Sequence, residues 1–299
     1  MRVLVTGAGG QVGAEMVRAL AGRAEVIAHD RSTLDLSDPT AIASRIREAR
    51  PGVIVNAAAY TAVDKAESEP ALARAVNAIA PGIIATEAKA LGALLVHFST
   101  DYVFDGTKRV PYVEDDATGP LGVYGATKLE GERAVTQSGC AHVTLRTAWV
   151  YGPVGKNFML TMLRLAGKAA PIRVVDDQHG APTTSAQIVR AVMVLLGGQA
   201  LDAASLERAK AATGIYHATA SGQTTWCGFA RAIFEETARR SKPFDAPQVI
   251  PITTAEYPTP AKRPAYSVLS NAKLEGAFGI RLGDWREGLA EAVSVLAGR

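Results

Sequence analysis

The chain has 299 residues, about twice the ~150 that serve a single compact domain, so one large or two closely joined domains are expected. With 48% hydrophobic and 20% charged residues, its composition is that of a globular protein and excludes a disordered or fibrous chain. The 32 basic residues nearly balance 29 acidic ones, and no Lys/Arg block concentrates the excess of +3, which argues against nucleic acid as a partner.

Cys140 and Cys227 are far apart and lack Cys-x-x-Cys spacing, so neither a disulfide framework nor a zinc site is expected. The apolar run Val3 to Val5 is too short for a signal-peptide core, and no later run approaches the ~18 residues of a membrane span. A cytoplasmic protein without membrane attachment is the expectation.

In chain order, the β-branched run 3–6 ends at Gly7, and residues 11–20 repeat apolar positions at helical spacing. Residues 25–29 predict a second strand, 39–49 a helix opened by a proline, and 53–56 a third strand. A long Ala-rich helix over 71–91 carries Pro81 inside it; a strand over 94–98, a helix over 122–136 and a strand over 142–146 follow. Strands alternating with helices imply an α/β fold, a Rossmann-like doubly wound parallel sheet over residues 1–150. Beyond residue 150 the rhythm loosens into helices at 158–166, 184–196 and 225–241 between short strands and prolines, predicting a smaller, mainly substrate-binding domain over 151–299. Segments such as 176–196 are candidates to return to the first domain. Residues 197–213 are predicted to form a surface insertion with some helix.

Gly7-Ala8-Gly9-Gly10-Gln11-Val12-Gly13 lies between the first strand and the first helix, where backbone amides and the helix dipole favour a pyrophosphate. Its Gly-x-x-Gly-x-x-Gly spacing is one residue longer between the first two glycines than the commoner dinucleotide fingerprint. Asp30 ends the second strand, where a carboxylate accepts from an adenosine ribose, a feature favouring NAD; the adjacent Arg31 suits a 2′-phosphate, so NADH and NADPH both stay open.

Tyr124-Gly125-Ala126-Thr127-Lys128 sets phenol and ammonium one helical turn apart. Acid-base work by a phenol of pKa ~10 calls for a neighbouring positive charge that favours phenolate, which Lys128 one turn away together with a nicotinamide cation can supply. Ser99-Thr100-Asp101-Tyr102 falls at the carboxyl end of a parallel strand, the ligand-binding edge of such sheets, and offers a hydroxyl to a substrate carbonyl.

With these elements in this order, the chain resembles the extended short-chain dehydrogenase/reductases, and more closely the dTDP-4-dehydrorhamnose reductases. The resemblance rests on Val5-Thr6-Gly7, Leu34-Asp35-Leu36, the run Asn56-Ala57-Ala58-Ala59 through Asp64-Lys65-Ala66-Glu67, Ser99 to Phe104, and Tyr124 with Lys128. Trp149-Val150-Tyr151, Asp177-Gln178, Gly180 to Thr183, and Arg263-Pro264 with Ser267 extend it over nearly the whole chain.

The resemblance implies reduction of dTDP-4-dehydro-6-deoxy-L-mannose to dTDP-L-rhamnose. It puts Gly7, Gly10, Gln11 and Val12 at the pyrophosphate, Asp30, Asp35 and Leu36 at the adenosine end, and Ala57, Ala58 and Ala59 along the cofactor. Lys128 is implied at the nicotinamide ribose and Thr100 and Tyr124 at the keto oxygen. Asp101, Tyr102 and Trp149 are implied in the sugar pocket, with Arg263 at the diphosphate. Some relatives dimerise through carboxylate-bridged magnesium; Glu15 matches one ligand position but Gln187 stands at the other, a poorer ligand for a hard cation, so Mg2+ and a homodimer stay open. Two alternatives remain: a reductase of another nucleotide-4-keto-deoxysugar, and a non-catalytic regulatory subunit of the same fold. A dehydratase is disfavoured because Tyr102 stands where a glutamate is expected after Asp101.

Overall fold

The computed structural model describes residues 1–167, 170–241 and 244–298. Five strands, β1 Arg2–Thr6, β2 Glu25–His29, β3 Val53–Asn56, β4 Leu94–Thr100 and β5 His142–Thr147, join Gly214–His217 in one six-stranded sheet. The order is β2-β1-β3-β4-β5 and then Gly214–His217, with every pairing parallel. Chain order reverses between β1 and β3, and in open α/β sheets the crevice at such a switch point is where ligands bind.

The strands alternate faces within continuous apolar runs, as burial on both sides requires. Val3, Val5, Val53, Val55, Leu94 and Val96 pack in one core with the helices α1 (Gln11–Leu20) and Ser185–Leu195. Their neighbours Leu4, Ile54 and Leu95 pack in another with α2 (Pro39–Ala49) and the helix Ala80–Leu91. Asp38 caps α2 through the amides of Thr40 and Ala41, with Pro39 in the first turn.

Two expectations change. Residues 197–213 are not a surface insertion: Leu201 and Ala209 are buried in the sheet's own core, and the helix Ala203–Ala211 leads into the strand Gly214–His217, which closes the sheet beside β5. The long helix over 71–91 is broken into Pro70–Arg74, a π turn Ala75–Ile79 and Ala80–Leu91. Pro81 has no N–H to donate and its ring crowds the carbonyl four residues back, that of Asn77, which the wider turn accommodates.

The second half packs its own core from the helices Phe158–Ala166, Trp226–Arg240 and Trp285–Ala297 around Phe229, Ile233 and Trp285. A parallel pair, Ile172–Val175 with Val249–Ile252, flanks it. No helix of the described residues is long and apolar enough to cross a membrane.

Candidate active site

A cavity of about 760 Å³ opens at the switch point. Its wall carries Gly7, Gly10, Gln11 and Val12 from the loop after β1; Asp30, Asp35 and Leu36 from beyond β2; Ala57, Ala58 and Ala59 from beyond β3; and Tyr124 and Lys128. The residues expected at a dinucleotide thus share one wall. Gly7 has φ +70°, and a Cβ there would lie 2.7 Å from the Ala58 backbone; a Cβ on Gly13 would overlap the Gly7 carbonyl. These two glycines let the loops after β1 and β3 and the start of α1 close on one another. The N-cap of α1 is Gly10, which has no side chain to satisfy the first amides, so they remain available to an anion.

The Asp30 carboxylate folds its own loop, accepting from the Ser32 amide (2.9 Å) and hydroxyl (2.6 Å) and from the Thr33 amide (3.2 Å), and these bonds hold its pKa below the usual range. Asp35 is likewise lowered by the amide and hydroxyl of Ser37. Arg31 and Lys156 stand on the same wall and add positive charge. The Gln11 side chain reaches the second half of the molecule, accepting from Asn157 Nδ2 at 2.9 Å and donating to the Val150 carbonyl at 3.4 Å.

The catalytic candidates meet where β4 ends. Thr100 is the N-cap of the 3₁₀ turn Asp101–Val103: its Oγ1 accepts from the Tyr102 amide at 3.2 Å and donates to Asp101 Oδ1 at 3.0 Å. Tyr124 lies in the first turn of the helix Val123–Ser138, with its phenol beside Thr100. Gly125 makes this meeting possible, since a Cβ there would overlap the Tyr102 carbonyl. The Tyr102 and Tyr124 rings touch edge to face, 5.5 Å apart.

Burial pushes Tyr124 up to about 12; the neighbouring Thr100 hydroxyl opposes this and the charge of Asp101 adds to it. The Lys128 ammonium is buried, pushed down to about 8, and donates to the Phe98 carbonyl at 2.6 Å. Burial likewise raises Asp101 to about 6, against the hydrogen bond from Thr100. The phenol holds its proton at neutral pH, as a proton donor must.

Trp149 has a left-handed backbone (φ 47°), and its ring stacks on Trp226 at 3.5 Å and 6°. A side chain on Gly180 would overlap the Trp149 ring, so that position admits only glycine. Trp226, rather than Trp149, lines a second cavity of about 370 Å³, with Phe158, Met162, Arg173, Tyr257 and Arg263. Arg263 is paired with Asp64, Nη2 to Oδ2 at 2.7 Å.

Trp226 and Asp64 were not singled out as site residues by sequence reasoning. Trp226 had no motif around it, whereas Asp64 lay inside a recognised run whose individual roles were unread. Glu15 pairs with Arg18, and the Gln187 side chain completes the capping box of the helix Ser185–Leu195 and donates to the carbonyls of Gly283 and Asp284. Among the described residues, no group of three or more His, Cys, Asp or Glu side chains could hold a metal ion.

A family model described as the RmlD substrate binding domain matches residues 1–297. The chain is 49% identical over 292 residues to a dTDP-4-dehydrorhamnose reductase of Burkholderia thailandensis, covering 96% of each chain. It is similar to the crystal structure of a Clostridium acetobutylicum dTDP-4-dehydrorhamnose reductase with TM-score 0.90 and 40% identity, covering 99% of both chains. The Bacillus anthracis dTDP-4-dehydrorhamnose reductase in complex with NADP superposes with TM-score 0.89 at 34% identity, covering 98% of this chain and 99% of that one.

Proposed function

The chain belongs to the RmlD substrate-binding-domain family, and from that premise we propose that it reduces the 4-keto group of dTDP-4-dehydro-6-deoxy-L-mannose, giving dTDP-L-rhamnose. The observation that carries this reading is the convergence of Thr100, Tyr124 and Lys128 at the end of β4, where Tyr124 and Lys128 line the same cavity as the glycine loop.

The glycine loop and the bare amides of α1 suit the pyrophosphate of NADPH or NADH, and Asp30 with Arg31 suits the adenosine end. A reduced nicotinamide held there supplies the hydride. Thr100 and Tyr124 bind the keto oxygen, and Tyr124 gives up its proton to that oxygen as negative charge develops. Its raised pKa keeps the proton in place until then. Lys128 sets a positive charge one turn further along the helix, where it favours the phenolate left behind.

The second cavity suits the nucleotide part of the substrate: Trp226 and Phe158 offer aromatic faces to a base, and Arg263 and Arg173 offer cationic forks to a diphosphate. Trp149, fixed between Gly180 and Trp226, backs the sugar pocket. The test is oxidation of NADPH, and separately NADH, with the keto-sugar generated in place by preceding enzymes, and identification of the product. Turnover only with a different nucleotide-4-keto sugar would move the assignment to that substrate. No turnover by protein that binds NADPH would remove the reductase reading.

A further inference from the structure

We propose that the one-turn helix Val63–Ala66, with Asp64 within it and Glu67 at its end, is a positioning element that holds Tyr124 against Thr100 and couples that register to Arg263. The inference rests on the reading of Tyr124 as the acid and Arg263 as a diphosphate ligand.

The helix Val123–Ser138 begins at Gly122, so no side chain of its own caps it. Glu67 supplies that cap from another part of the chain: its Oε1 accepts from the Val123 amide at 2.8 Å. A Cβ on Gly122 would lie 2.6 Å from the same oxygen, so Glu67 fills the space the missing side chain leaves. A carboxylate there satisfies an orphan amide and meets the positive end of the helix dipole. Tyr124 is the next residue, one backbone step from this anchor.

At the other end of the turn, Asp64 Oδ2 accepts from Arg263 Nη2 at 2.7 Å and Oδ1 from the Ala261 amide at 3.3 Å. Ala66 is fully buried and pins the turn between these contacts. A second tie runs parallel to the first: Asn77, in the π turn, accepts from the Tyr60 amide at 2.8 Å and donates to Thr127 Oγ1 at 3.3 Å on the acid-bearing helix. A diphosphate arriving at Arg263 competes with Asp64 for the same guanidinium fork. Any shift of Asp64 is carried over three residues to Glu67, and so to the backbone beside Tyr124.

The test uses the full chain as Glu67→Ala, Glu67→Gln and Asp64→Asn. Glu67→Ala is expected to lower kcat by about tenfold or more, because small displacements of a reacting group are costly, with the Kd for NADPH unchanged. Glu67→Gln keeps an oxygen acceptor and is expected to recover most of that loss. Hydrogen exchange read without substrate should quicken at the amides of 123–125 in Glu67→Ala, and adding dTDP alone should alter exchange there in the wild type but not in Asp64→Asn. Wild-type kcat in Glu67→Ala, equal losses in Ala and Gln, or a dTDP effect that survives in Asp64→Asn would overturn the proposal. A wild type that binds NADPH but leaves the keto-sugar untouched would instead defeat the reductase reading, and the exchange data alone would then decide whether Glu67 holds the helix.

Discussion

The nucleotide-binding half builds its part of the site from short contiguous runs, Gly7 to Gly13, Ala57 to Ala59 and Ser99 to Tyr102. The other part of the site is assembled from Trp149, Gly180, Trp226 and Arg263, residues scattered over more than a hundred positions. The contrast has a physical origin. A phosphate is bound by backbone amides at a strand-to-helix turn, so its site is necessarily local in sequence. An aromatic wall is built from side chains that only the packing of helices such as Phe158–Ala166 and Trp226–Arg240 brings together. On the proposed function, chemistry common to many substrates falls to the first kind of structure, and discrimination among substrates to the second.

The sharpest way to break this division is Tyr124→Phe, which removes one hydroxyl from the common side. It should lower kcat by about 10²–10⁴-fold while leaving NADPH binding intact, as read by stopped-flow turnover and fluorescence titration. Glu132→Ala probes the same helix from beneath: the buried pair of Arg146 with Glu132, 2.7 and 2.9 Å, would be left as a lone buried cation. Breaking such a pair costs roughly 3–5 kcal/mol, and thermal unfolding should show the loss directly. On the discriminating side, Trp226→Ala should raise KM for the keto-sugar by roughly 10–100-fold, in line with loss of an aromatic anchor, with cofactor affinity unchanged. An equal loss of NADPH affinity would show that the two halves do not divide the work.

Two smaller effects refine the picture. Because burial holds Lys128 near 8, its ammonium is lost as pH rises through that value, and kcat should fall about tenfold between pH 7 and pH 9. A flat profile over that range would mean that the cation does not assist Tyr124. Arg31→Ala should shift the NADPH to NADH preference toward NADH by a few-fold, since Arg31 adds charge beside an Asp30 carboxylate already engaged by Ser32 and Thr33.

What the sequence made legible follows the same contrast. Buried strands such as Val53–Asn56 and Leu94–Thr100 are continuous apolar runs flanked by helical periodicity, and the helix Pro39–Ala49 announces itself by its proline and capping aspartate. The sixth strand, Gly214–His217, was hidden because four residues following an alanine-rich, charged segment carry too little pattern to be told from a turn. The break around Asn77 could have been suspected from Pro81 inside the long helix. Trp226 could not have been found in this way, since its role depends on a stack with Trp149, 77 positions away. Spacing shows that Lys128 shares a helical face with Tyr124, but not that both side chains are buried or that the ammonium donates to the Phe98 carbonyl.

The most direct test of the central claim is a paired assay of wild type and Tyr124→Phe, following NADPH absorbance with dTDP-4-dehydro-6-deoxy-L-mannose and identifying the product. The account predicts steady oxidation yielding dTDP-L-rhamnose in the wild type and near-complete loss in the variant, with both proteins binding NADPH equally. Wild-type turnover in Tyr124→Phe, or no oxidation by a wild type that binds NADPH, would contradict it.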